Sequence, residues 1–161
     1  MAIKIWGNSI LLGSNGIAAA DACCCGGCSA DWANLDTDDQ PNVEVSDSTC
    51  DCDGGTHDGS YPYLGDDPIY GGVYWEGQTT CDYTGFPSSA AISIKIWCDE
   101  ETDLWNYRVD TYEFEFESLY AEGTTDQLSV DGNGHLVGSF SITLLYAVDD
   151  SEQCTMTLTF G

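Results

Sequence analysis

With three lysines and arginines set against 28 aspartates and glutamates in 161 residues, this chain carries a formal net charge of −25. A surface that acidic repels nucleic acid, whose phosphates are bound by cations that displace counterions, and it repels anionic membrane surfaces too. Apolar residues at 42% and aromatics at 12% still specify a domain with a core, and nine cysteines point to an oxidising setting.

In chain order, Ile3 to Trp6 and Ser9 to Leu12 read as two short apolar strands around Gly7-Asn8, with Ile3, Ile5, Trp6, Ile10, Leu11 and Leu12 as the residues that would grip a surface. An arm this short, residues 1–22, does not fold alone and must dock on its own domain or on a neighbour. It does not read as an export signal. Lys4 and Ala18-Ala19-Ala20 suit one, but Gly7, Asn8, Ser9, Gly13, Ser14, Asn15 and Gly16 break the apolar stretch. No apolar run reaches the length of a membrane span. Residues 23–40 then form a cysteine-rich junction that begins Cys23-Cys24-Cys25-Gly26-Gly27-Cys28, with Trp32 and Leu35 as anchors in an acidic loop.

From Pro41 the pattern is that of strands. Asn42 to Ser46 alternates, Cys50 to Gly55 turns, and residues 53–72 read as a long Gly/Asp/Tyr-rich connection carrying Tyr61, Tyr63 and Tyr70. Strands follow at 73–76, 91–98, 104–109, 112–118, 136–148 and 154–160. The alternation is clean. Ile92, Ile94, Ile96 and Cys98 oppose Ser93, Lys95 and Trp97; Tyr112, Phe114 and Phe116 oppose Glu113, Glu115 and Glu117; Phe140, Ile142, Leu144 and Tyr146 oppose Ser141, Thr143 and Leu145; Cys154, Met156, Leu158 and Phe160 oppose three threonines. A period of two with one wet face is the mark of antiparallel sheet. Asp131-Gly132-Asn133-Gly134 is a tight-turn signal, and no stretch offers a long helix. The expected fold is all-β: an antiparallel β-sandwich or jelly-roll-like domain over 41–161, behind the arm and the junction.

The nine cysteines, Cys23, Cys24, Cys25, Cys28, Cys50, Cys52, Cys81, Cys98 and Cys154, read chiefly as disulfide formers. Cys81 and Cys98 flank one hairpin-like unit and are candidate partners, although spacing leaves the connectivity open. An odd count leaves at least one thiol free or bonded to another chain. A structural zinc held by Cys25, Cys28, Cys50 and Cys52 is the alternative, set back by irregular spacing and by the surplus of thiols. Calcium is the other metal alternative, at the acidic turns containing Asp47, Asp51, Asp53 and Asp58, Asp66 and Asp67, or Asp149, Asp150 and Glu152, though none has EF-hand spacing. The bland reading of these carboxylates is a solvated surface. Glu113, Glu115 and Glu117 on one strand face resist edge pairing. The two histidines, His57 and His135, each stand in a turn and neither is beside a nucleophile motif. Paired carboxylates for glycoside cleavage stay open because their spacing is spatial, but no combination of catalytic roles is complete in the sequence, so no enzyme is expected. Trp75, Trp97, Trp105 and Tyr107 could stack on sugar rings, but in such a fold they belong first to the core.

Ile5 to Leu12, Gly16-Ile17-Ala18 and Cys23-Cys24-Cys25, with Cys50-x-Cys52, Gly59-Ser60-Tyr61, Tyr74-Trp75-Glu76, Cys81 and Ile92 to Cys98, resemble a loose group of cysteine-rich, mostly uncharacterised proteins encoded among the virion structural genes of tailed bacteriophages. The likeness spans residues 5–98. The chain departs from the group's Gly-Thr-Tyr with Gly-Ser-Tyr and by an insertion-like acidic loop from Asp66 to Gly72. The resemblance implies a virion structural role, as a capsid decoration, tail or fibre component, and brings no catalytic residues. On that reading the partners are other virion proteins and further copies of the chain as a homo-oligomer, with a host-surface glycan as a further partner, no nucleic acid and no membrane insertion. The place is the virion or another extracellular particle, reached without a signal peptide. Two other classes stay open: an extracellular adhesin or carbohydrate-binding module, calcium-assisted or not, and a filament subunit that assembles by strand addition.

Overall fold

The structure, a computed structural model, describes the backbone of residues 3–5, 8–10, 12–13, 16–17, 27–50, 56–83, 86–113 and 119–161, and side chains over 27–50, 56–78, 91–111 and 119–161. It is all-β and antiparallel. In the arm, β1 (Ile3–Ile5) pairs with β2 (Asn8–Ile10), and β3 (Leu12–Gly13) with β4 (Gly16–Ile17); each pair is a sheet of its own, joined by no ladder to the rest among the described residues. Trp6 and Leu11 lie outside the described residues.

The remaining strands are β5 (Val43–Ser46), β6 (Gly59–Tyr61), β7 (Tyr63–Asp67), β8 (Gly72–Tyr83), β9 (Phe86–Asp99), β10 (Leu104–Glu113), β11 (Leu119–Thr125), β12 (Leu128–Val130), β13 (Leu136–Tyr146) and β14 (Glu152–Phe160). They make one sheet in the order β6-β5-β14-β13-β11-β10-β9-β8-β7, with β12 on β13. Its two outermost strands, β6 and β7, are consecutive in sequence and parted only by Pro62. One extended segment therefore pairs with β5 through Val43↔Tyr61 to Val45↔Gly59, and with β8 through Tyr63↔Trp75 to Asp67↔Gly72. Pro62 has no N–H to give, but its carbonyl accepts from Glu76 N at 3.3 Å and bridges the switch. The sheet so curls into a nearly closed barrel. Apart from β5 beside β14 and β11 beside β13, neighbours in it are consecutive in sequence, the order of a meander, and none of the described pairings makes the crossover of a jelly roll.

Closure places every inward residue against others of its kind, and the strand alternation dictates which they are. Ile92, Ile94, Ile96, Val109, Phe140, Ile142, Leu144, Met156, Leu158 and Phe160 are all buried, as expected from period two. Aromatics line the interior: Trp75 on β8 meets Phe160 on β14 edge-on at 5.3 Å and Tyr107 on β10 reaches Phe140 on β13 at 5.1 Å, across strands that are not sheet neighbours, while Phe140 stacks on Phe160 of the adjacent β14 at 6.0 Å. Each such pair adds about 1 kcal/mol beyond the area it buries. Small residues mark where large rings lie. A Cβ on Gly77 would stand 2.6 Å from the Tyr61 ring, so that ring needs glycine on the neighbouring stave.

One barrel end is covered by residues 27–41. Helix α1 (Cys28–Trp32) is bonded to the end of β9 by the Cys28–Cys98 disulfide, and Trp32 packs on Trp105 at 5.9 Å. Gly27 approaches Asp103 so closely that a Cβ would meet its carboxylate at 1.8 Å. Ser29 N and Cys28 N donate to Asp103, whose φ of 59° is the left-handed conformation aspartate tolerates. Further along, Gln40 is buried and bonds Leu136 N through Oε1 and Gly134 O through Nε2, while Trp75 Nε1 donates to Pro41 O at 2.8 Å. The second disulfide, Cys50–Cys154, ties the loop after β5 to β14 at the opposite end.

Three expectations change. The connection at 53–72 contains the strand that closes the barrel. The strand expected at 112–118 is in part the end of β10, whose Tyr112 and Glu113 pair with Ala91 and Ala90 of β9; residues 114–118, with Phe114, Glu115, Phe116 and Glu117, lie outside the described residues. A strand at 119–125 went unforeseen.

The two disulfides close loops of 70 and 104 residues, which restricts the unfolded chain by about 4 kcal/mol each on the chain-entropy account. Replacing Cys28 and Cys98 together by serine should lower the unfolding free energy by an amount of that order in a denaturant titration, with the barrel's circular dichroism retained. A loss near zero would show that the cap contributes little to the native state.

Candidate functional site: the charged and aromatic outer face

Because Val73, Trp75, Ile94, Ile96 and Val109 point inward, their sequence neighbours point out. Register then sets those neighbours in rows across β8, β9, β10 and β11. One row is Tyr74, Lys95, Arg108 and Glu122; the next on one side is Glu76, Ser93, Asp110 and Tyr120; on the other side stand Trp97, Asn106 and Thr124. Two of the chain's three basic residues are thus direct cross-strand partners. Like charges facing each other repel, and carboxylates around them offset that cost.

Arg108 donates from Nε to Asp110 Oδ1 at 2.9 Å, from Nη2 to the same oxygen at 2.8 Å and from Nη1 to Glu122 Oε2 at 2.7 Å. The Asp110 hydrogen bond is the chief reason its guanidinium is held protonated even more firmly than usual. Lys95 Nζ lies 3.9 Å from Asp110 and 4.0 Å from Asp67, whose carboxylate is buried. Asp67 also accepts from Ile69 N at 2.7 Å and Tyr70 N at 3.0 Å, and so shapes the turn after β7. That turn lays the Tyr70 ring on Trp97, 4.4 Å apart and 19° from parallel, and 5.4 Å from Lys95 Nζ. On the other flank Arg108 sits 4.7 Å over the Tyr120 ring, and the Tyr120 hydroxyl donates to Asp150 at 2.7 Å, which raises its pKa. Tyr70, Trp97, Asn106, Arg108, Glu122 and Thr124 border a cleft of about 420 Å³ that opens outward.

The acidity of the chain has a structural use elsewhere. Asp36 accepts from the backbone of Asp38 and Asp39, Asp99 from Glu101, Asp131 from Asn133 and His135, and Asp149 from Ser151. These are the local bonds by which aspartate makes turns. Asp58 accepts from Ser48 N, and Asp150 from Tyr120, while Asp47 is exposed with φ 51°. Asp51 and Asp53 lie outside the described residues. Among the described residues no three His, Cys, Asp or Glu side chains converge as metal donors.

Of the nine cysteines, Cys28, Cys98, Cys50 and Cys154 form the two disulfides; Cys23, Cys24, Cys25 and Cys52 lie outside the described residues, as does the side chain of Cys81. The pairing of Cys81 with Cys98 is corrected. Cys81 stands opposite Ser88, ten residues from Cys98 along β9 and so about 33 Å away in an extended strand. The zinc set is corrected with it, since Cys28 and Cys50 are bonded to different partners at opposite barrel ends. Of the aromatics that could meet a sugar, Trp75 and Trp105 are buried and Tyr107 packs on Phe140; Trp97 is on the outer face. His57 is buried, its carbonyl accepting from the Tyr61 hydroxyl, and burial pushes that phenol's pKa up to about 12. Arg108 was not singled out from sequence, although two of three basic residues on neighbouring strands of so acidic a chain was a usable signal.

No protein-family model matches the chain, and neither the curated proteins nor the solved structures contain a match.

Four turn aspartates titrate below the ordinary value of 3.8: Asp99 mainly through the Glu101 N–H, Asp103 through Ser29 N–H, Asp131 through His135 N–H and Asp149 through the Ser151 hydroxyl. A depressed folded pKa gives stabilisation that is complete above 3.8 and is lost as pH falls through the lower folded values. The unfolding temperature should therefore drop below that pH, and Asp103→Asn, which keeps the acceptor for Ser29, should make the drop shallower. An acid limb identical in both proteins would remove Asp103 from this account.

Proposed function

We propose that the chain is a non-enzymatic structural protein of an extracellular particle, a virion component whose barrel is displayed outward and whose N-terminal arm docks on a neighbouring subunit. The observation that carries this reading is the division of pairing. The barrel forms without the arm, while among the described residues β1 to β4 pair only among themselves in hairpins of two or three residues per strand. Hairpins that short are not stable alone in water and gain by laying their apolar residues on another surface.

Further features support display outside a cell. Disulfides spanning 70 and 104 residues suit oxidising surroundings, and a net charge of −25 keeps a crowded surface soluble and free of nucleic acid. Assembly by strand addition to the barrel is the weaker alternative, because the two end strands of the sheet, β6 and β7, belong to one segment that already pairs with β5 and with β8.

Removing residues 1–20 should leave the thermal unfolding transition within about 2 °C of the full chain, since little barrel packing is lost, and should abolish self-association or retention on particles in light scattering and sedimentation. A truncated protein that assembles like the full chain would refute the docking role of the arm.

A further inference from the structure

We infer that the outer-face cleft bordered by Tyr70, Trp97, Arg108 and Glu122 binds a neutral saccharide, one or two rings in size. This goes beyond an assembly role and makes no use of the arm. The cleft volume of about 420 Å³ is at the lower end of small-ligand sites. Tyr70 and Trp97 supply an aromatic wall on which the C–H face of a pyranose packs, and the Asp67 turn fixes that wall in advance.

Opposite the wall are polar groups of both kinds. Arg108 commits three of its five N–H donors to Asp110 and Glu122, which leaves two, and these bonds lock its rotamer. Glu122 uses Oε2 for Arg108, so Oε1 remains as an acceptor, and Thr124 and Asn106 add a hydroxyl and an amide at the rim. Alternating donors and acceptors around a rigid wall suit vicinal hydroxyls. Charged ligands fit worse. Both cations are already matched by Asp67, Asp110 and Glu122, so an anion finds no surplus positive charge within a −25 chain. A cation would meet Lys95 beside Tyr70 and Arg108 on the cleft floor.

The test is a heteronuclear NMR titration of the full chain with a panel of neutral mono- and disaccharides, alongside a sulfated disaccharide and spermine. Saturable shifts with a Kd on the order of 1 mM, centred on Trp97, Asn106, Arg108 and Thr124 and seen with neutral sugars alone, are expected. Tyr70→Ala and Glu122→Gln, both changes at exposed side chains, should each weaken binding at least several-fold with the unfolding temperature unchanged. No saturation with any neutral sugar, shifts centred elsewhere, a preference for the sulfated probe or spermine, or affinity untouched by both variants would each overturn the assignment.

Discussion

Everything in this fold depends on one stretch of nine residues, Gly59 to Asp67, that belongs to both ends of the same sheet. An open antiparallel sheet must bury one face against something else and protect its edges. Here the strand is passed from β5 to β8 at Pro62, the residue that can leave a ladder without stranding an N–H, and the sheet becomes its own second layer. The barrel is then about the size whose interior side chains can fill, and the Trp75–Phe160–Phe140–Tyr107 chain fills it. With the interior given to packing, chemistry is left to the outer face, the barrel ends and the arm.

The acidity looks like a burden until its placement is considered. A net charge of −25 on a small barrel costs stability through self-repulsion. Aspartate also makes the turns of a meander, accepting backbone N–H groups two and three residues ahead and tolerating positive φ at Asp47, Asp103 and Asp150. Part of the charge is thus a consequence of turn chemistry. The two disulfides, at opposite ends, add stability that a repulsive surface takes away, and they do so only where thiols oxidise.

What could be read from the sequence follows from the same physics. Strands 92–98, 140–146 and 154–160 were legible because each buries one face and wets the other, so parity put Ile96 and Trp97 on opposite faces, and it is parity, not the preference of tryptophan for a core, that holds for Trp97. The 59–67 strand was not legible. Pro62, Gly65, Asp66 and Asp67 erase the pattern, and its existence comes from the closure of the sheet. β11 was hidden for a different reason: its inward residues, Ala121, Gly123 and Thr125, are small, and a Cβ on Gly123 would come within 2.8 Å of the Tyr107 hydroxyl that fills the space from β10. Disulfide partners and the pairing of Lys95 with Arg108 both depend on register, which alternation leaves undetermined.

The most direct measurement is of the two ladders on either side of Pro62. Cross-strand nuclear Overhauser contacts should appear together in one sample between Glu44 and Ser60 and between Asp66 and Val73, with slow amide exchange in both ladders. Contacts on only one side, or exchange at the rate of an open edge on either, would contradict a closed barrel.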